Sequence, residues 1–137
     1  MLKCLNNVDI PGKNGTTPLM AAQNYDLHGT HTLTPIFIEK GADVNRADDS
    51  GNTALLLHAR WYCDKDVFKA MVKAGYDVNA RNKEGNTALH YAMKNNSSEV
   101  AVYLIKKGAD VNVANEKQQT PMQIAVEKGM DEVLAFL

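Results

Sequence analysis

Three separate markers recur along this chain with one spacing, and that spacing restricts the fold more than any other feature. Threonines following a turn-forming stretch stand at Thr17, Thr53, Thr87 and Thr120, which are 36, 34 and 33 residues apart. A Gly-x-Asp-Val-Asn segment stands at Gly41 to Asn45, Gly75 to Asn79 and Gly108 to Asn112, its glycines 34 and 33 residues apart. Apolar trios at helical spacing follow the same rhythm: Leu33, Ile36, Phe37; Val67, Ala70, Met71; Val100, Tyr103, Leu104; Val133, Phe136, Leu137. A period of this length belongs to tandem arrays, in which a single unit cannot bury its apolar face and stacked neighbours must cover it.

Each unit reads as a turn, a helix pair and an extended link. The turn residues, such as Asp48-Asp49-Ser50-Gly51 and Asn82-Lys83-Glu84-Gly85, join a capping side chain to a glycine that tolerates positive φ. The threonine then serves as a helix N-cap. Pro18 and Pro121 follow it in two units, where a missing N–H costs nothing. In the third unit a helix over about 87–94 is broken by Asn95-Asn96-Ser97-Ser98, and a second runs over about 99–107. Gly108 is expected to end that helix in the left-handed conformation.

These residues resemble the ankyrin repeat. The resemblance rests on Gly15-Thr16-Thr17-Pro18-Leu19-Met20-Ala21-Ala22 with Gly41-Ala42-Asp43-Val44-Asn45. Gly85-Asn86-Thr87-Ala88-Leu89-His90-Tyr91-Ala92 with Gly108-Ala109-Asp110-Val111-Asn112 matches more closely still. It implies an all-α ankyrin-repeat solenoid of stacked helix-turn-helix units with short β-hairpin-like finger loops. The whole of 1–137 is expected to form one such domain, with units at about 7–45, 46–79, 80–112 and 113–137, and residues 1–6 the tail of a partial preceding unit.

Departures from the pattern are local. Threonine to closing glycine spans 21 residues in the third unit, 22 in the second and 24 in the first. The extra residues fall around Gly29 and around Tyr62 to Asp64. His58 stands where the family has a small alanine, so its packing is expected to differ locally. Gln118 replaces the turn glycine of the fourth unit, and Pro35 falls within the opening turn of a helix capped by Thr32. Phe136 and Leu137 are apolar at an open end, which suggests a fragment of a longer array or an irregular capping unit.

No constellation for chemistry emerges. His28 and His31 form a loop His-Gly-Thr-His that lacks two further ligands for a metal site. His90 lies three residues after Thr87, where the resemblance implies a structural bond between ring and hydroxyl. His58 reads as a buried histidine with a partner. Cys4 and Cys63 have neither disulfide nor metal spacing, which indicates a reducing compartment and favours the cytoplasm. Asp48 reads as a turn cap and Asp49 as an exposed tip residue. Phosphate loops and nucleophile elbows are missing from the sequence. The chain is therefore expected to be no enzyme and to need no cofactor or metal.

Fifteen Lys and Arg against sixteen Asp and Glu give a net charge of −1, without the basic surplus of a nucleic-acid binder. No apolar run is long enough to span a bilayer. What remains is surface. The resemblance implies a partner protein or peptide on the concave side, built from tips and first helices. Carried over by position, that strip comprises Lys13, Asn14, Asn24 and Tyr25; Asp49, Asn52, Arg60 and Trp61; Arg81, Lys83, Glu84, Asn86, Lys94 and Asn95; and Glu116 and Lys117. It extends to Thr16, Ser50, Gln119, Glu127 and Lys128. Tyr25, Arg60 and Trp61 are expected to anchor it, since aromatics and arginine dominate binding hot spots. Two alternatives stand beside this one. The chain is the targeting or regulatory segment of a larger enzyme or effector, or a monomer that self-associates weakly through Phe136 and Leu137.

Overall fold

The computed structural model describes residues 12–17, 20, 36, 39, 43, 45–61 and 65–137, with backbone alone at Lys13 and Trp61. Among them six helices form three pairs: α1 (Ala54–Trp61) and α2 (Lys65–Lys73), α3 (Ala88–Lys94) and α4 (Ser98–Lys106), α5 (Pro121–Glu127) and α6 (Asp131–Phe136). A short 3-10 turn at Lys13–Gly15 opens the described chain. The inner helices α1, α3 and α5 pack side by side, and the outer helices α2, α4 and α6 form a second layer behind them. The core lies between the layers, built from residues such as Leu55, Leu56, Phe68, Met71, Leu89, Met93, Leu104 and Val133.

Helix limits follow from local chemistry. Thr87 accepts the His90 N–H and Thr120 accepts the Gln123 N–H, and in both the third residue's side chain returns to the threonine N–H. These reciprocal bonds satisfy donors that the first helical turn leaves free. At the far ends a left-handed residue stops the helix. Gly108 (φ 96°) donates to the Ile105 carbonyl and Ala109 to that of Leu104, both at 3.0 Å. Gly75 with Tyr76, Asn96 with Ser97, and Gly129 with Met130 repeat this arrangement.

The tips are hairpin turns locked by one side chain each. Asn82 Oδ1 accepts from the N–H groups of Glu84 and Asn86 at 3.1 and 3.0 Å. Asp48 and Asn115 do the same in their own turns. Tips also bond to each other through backbone: Asp49 N–H to Asn14 O at 2.9 Å, Lys83 N–H to Ser50 O at 3.0 Å, and Glu116 N–H to Glu84 O at 3.0 Å. This close approach requires glycine at Gly85, whose φ is +78° and where a Cβ would stand 3.0 Å from Asn115 Cα. Gln118 adopts the same left-handed backbone at φ 62° with a side chain.

Two further ladders run from unit to unit. In the extended links, Asn45 accepts from the Asp77 N–H at 2.7 Å and donates to Gly75 O at 3.1 Å. Asn79 repeats this with Asp110 and Gly108 at 2.9 and 3.0 Å. Under the tips, buried amides join directly: Asn82 Nδ2 to Asn52 Oδ1 and Asn115 Nδ2 to Asn86 Oδ1, both 2.9 Å. Solvent is displaced there, so each amide needs a partner, and the repeat period supplies one.

Candidate functional site

The exposed face formed by the tips and the ends of the inner helices is the candidate binding surface. Its rigidity comes from the ladders beneath it. Two of the residues expected on it are not surface residues: Asn52 and Asn86 are 6% and 3% exposed. Their side-chain oxygens accept from the next unit's amide, which draws both inward. This corrects their assignment to the exposed strip. Asn82, read in the sequence only as a turn residue, and Asn115, which carried no sequence signal, are the donors to them.

Asn14, Asp49, Arg60, Arg81, Lys83, Glu84, Asn95, Glu116 and Lys117 are exposed, and Lys94 is half-buried. Lys13 and Trp61 are placed by backbone only, and Asn24 and Tyr25 lie outside the described residues. Of the anticipated anchor cluster of Tyr25, Arg60 and Trp61, the side chain of Arg60 alone is described. His28, His31, Cys4 and Cys63 also fall outside, as do the segments around Gly29 and Tyr62 to Asp64.

Several exposed groups are held in place. Arg81 Nη2 donates to Ala114 O at 2.8 Å and its Nε to Gly85 O at 3.4 Å, which ties the third tip to the fourth unit. Asn95 Nδ2 donates to Ala59 O at 2.8 Å, and Lys128 Nζ donates to Lys94 O at 2.8 Å. Asn95 and Lys128 each stand eight residues after their N-cap threonine. In both units that position reaches back to a carbonyl near the end of the preceding inner helix, where orphan acceptors collect.

Tyr91, absent from the sequence-derived strip, lies buried beneath this face. Its phenol oxygen accepts from Asn82 Nδ2 at 2.8 Å, and its ring lies under the Lys94 ammonium at 5.8 Å from the centroid. Leu57 and Ile124 occupy the matching position in the neighbouring units, so an aromatic appearing in that column was the signal available. Burial depresses the Lys94 pKa, and the like charges of Lys117 and Arg60 add to this while Glu84 opposes it.

The two described histidines take different structural roles. His90 Nε2 lies 3.0 Å from the Gln119 carbonyl, an acceptor, so that nitrogen carries the proton. Nδ1 then accepts from the Thr87 N–H at 3.0 Å, with the Thr87 hydroxyl 2.9 Å away. Desolvation holds the ring below the ordinary histidine pKa; the Gln119 bond opposes that, and the Lys94 charge reinforces it. His58 is buried and meets Phe68 edge to face, with centroids 5.3 Å apart.

Among the described residues no three His, Cys, Asp or Glu side chains are grouped to hold a metal ion. No described helix is long and apolar enough to cross a membrane. A polar cleft of about 420 Å³ lies where inner helices turn into outer ones, lined by Lys65, Ser97, Glu99 and Glu132 among others.

Helix pairs stacked in two layers, with hairpin tips bonded edge to edge, define a repeat solenoid of the kind the 33-residue period anticipated. The sequence profile of ankyrin repeats (three copies) matches residues 1–82 and 55–137, and the chain belongs to the ankyrin repeat family. It is also 38% identical over 50 residues to a protein of Fowlpox virus (strain NVSL) whose name describes it as an ankyrin repeat protein. That match covers 36% of this chain and 25% of the relative, so it spans about a quarter of the relative's length. Ankyrin repeats are generally protein–protein interaction modules and are generally non-catalytic.

Proposed function

We propose that this chain is a non-catalytic binding module that engages a partner protein or peptide on the concave face formed by tips and inner helices. The observation that carries this reading is the division of labour among its polar groups. Buried amides and backbone groups are consumed in unit-to-unit ladders, while Asp49, Arg60, Lys83, Glu84, Lys94, Glu116 and Lys117 stand on the surface those ladders hold. A face fixed before binding loses little conformational freedom on docking.

Selection from a displayed library of proteome-derived peptides tests it. The wild-type chain is compared with Arg60→Ala/Lys94→Ala/Lys117→Ala, and with the outer-helix variant Lys69→Ala/Lys73→Ala. Circular dichroism checks that each remains folded. Ligands retained by the outer-helix variant and lost from the concave-face variant are the expected result. The reverse pattern would move the binding surface to the outer helices.

A further inference from the structure

The charge on the concave face is uneven, and its unevenness describes a partner. Arg60 and Lys94 occupy one position in successive units, seven residues after Thr53 and Thr87. Lys94 lies over the Tyr91 ring, which the Asn82 amide holds by its phenol oxygen. Lys128 reaches the same helix end through its bond to the Lys94 carbonyl. Lys117, on the fourth tip, and Arg60 both act on Lys94 as like charges. Lys94 thus stands over the ring, with Arg60 and Lys117 near enough to act on its charge and Lys128 bonded to its carbonyl.

Among the described residues the acids on this face are separated from one another in sequence. Glu84 is the carboxylate that offsets Lys94, and its Oε2 also accepts from Asn86 Nδ2 at 3.3 Å. Glu127 follows Arg60 and Lys94 in their column, Glu116 adjoins Lys117, and Asp49 lies on the second tip. An ammonium crowded by like charges and partly stripped of water gains more from an incoming anion than a freely solvated one does. The face over Tyr91 therefore presents Arg60, Lys94, Lys117 and Lys128 interleaved with separate carboxylates.

Resting on the concave-face reading, we propose that the face over Tyr91 receives an acidic segment of a partner protein, one side-chain carboxylate seated between Arg60 and Lys94 and the next acid meeting Lys117 or Lys128. Separated carboxylates fit this pattern better than a nucleic acid does. A continuous run of phosphates would be carried across Glu84, Glu116 and Glu127, whose charges repel it. The chain's net charge of −1 works against a polyanion in the same direction.

Fluorescence anisotropy with the full chain tests this. The probes are a short fluorescein-labelled peptide of Glu interspersed with Gly and Ser, its Gln counterpart, and a labelled oligothymidylate. The Glu peptide is expected to bind at least about tenfold more tightly than either other probe, and to weaken with added salt. Lys94→Gln and Arg60→Gln are each expected to weaken it about tenfold, and Lys73→Gln to leave it unchanged. Equal binding of the Gln peptide, tighter binding of the oligothymidylate, or indifference to Lys94→Gln would overturn the proposal. The library selection separates the two levels. Ligands that depend on the concave face yet carry no acidic excess sink the acidic partner and leave the face standing. Ligands that ignore the face sink both.

Discussion

The second and third units share a backbone plan and use their polar and aromatic side chains in opposite ways. The third has His90 three residues after its N-cap threonine, Tyr91 next to it, and alanines at 92 and 101 where its two helices meet. The second has Leu56 and Leu57 at the first two of those positions, and His58 and Phe68 in place of the alanines. The third unit's histidine closes a capping box and bonds the fourth unit. The second unit's histidine lies between its two helices, ring against ring. Thr53 still accepts the Leu56 N–H at 3.3 Å, but leucine has nothing to return. The third unit's histidine is thus bonded across to its neighbour, whereas the second unit's packs against a ring of its own unit. The second unit's first helix is one residue longer than that of the third, eight against seven, and in each unit three residues stand between the paired helices.

Removing a ring from the second unit should break that comparison most severely. Phe68 is fully buried, and Phe68→Ala is expected to cost about 3–5 kcal/mol, read by urea denaturation. Adding His58→Ala restores the third unit's pair of small residues, so the double variant should be less destabilised than the sum of the singles. Strict additivity would show that the two rings are not coupled.

A smaller effect is expected from the buried amides. Asn82→Leu strands Asn52 Oδ1, the Tyr91 phenol and the turn N–H groups, at a cost of about 2–3 kcal/mol. Asn82→Asp keeps the turn acceptor, as Asp48 does in the second unit, and loses only the donors. It should cost roughly half as much. Equal losses for the two substitutions would mean that the turn, and not the ladder, carries the stability.

The capping box of the third unit should make its stability depend on pH. His90 is held below the ordinary histidine value of 6.5, so the unfolded chain binds the extra proton more readily than the folded one. Its contribution is complete above 6.5 and is lost as pH falls from there through the folded pKa. Protonation also places a hydrogen on Nδ1 facing the Thr87 N–H. His90→Gln reproduces the box that Thr120 and Gln123 form in the fourth unit. Denaturation between pH 7.5 and 5, about one unit to either side of the ordinary value, should show a shallower fall for this variant. The other histidines are common to both proteins, so the difference reports His90.

The smallest effect belongs to Tyr76, which stands where the first and third units have Ala42 and Ala109. It is buried, and its phenol oxygen has no hydrogen-bond partner among the described residues. Burial pushes its pKa above the usual tyrosine range. Tyr76→Phe removes an unmatched polar atom without changing the ring, so stability should change by less than about 1 kcal/mol or rise slightly. A clear loss would reveal a partner for the hydroxyl.

How much was legible in advance differs between backbone and side chains. Thr87, Thr120, Gly75 and Gly108 announced helix starts and stops because caps and left-handed glycines act over three or four residues. Asp48 as a turn cap was readable for the same reason. Asn52 and Asn86 were misplaced because a hairpin-tip asparagine looks solvated until the next unit is laid against it. Tyr91 was missed because a residue at its position reads as part of the apolar helix face. Its importance depends on Asn82, in another segment, and on cations from the second and fourth units.

The 33-residue period by itself determined a tandem array of helix pairs, and the motif residues within it carried the resemblance to the family. It did so because a repeating local pattern is written in adjacent residues. Only the tertiary structure decided which polar groups are exposed. It turned Asn52 and Asn86 inward, joined Arg81 to Ala114, set Lys94 over Tyr91, and brought Arg60, Lys117 and Lys128 toward Lys94. Those relations cross from one unit to the next over some 30 residues, and no property of a residue's sequence neighbours specifies them.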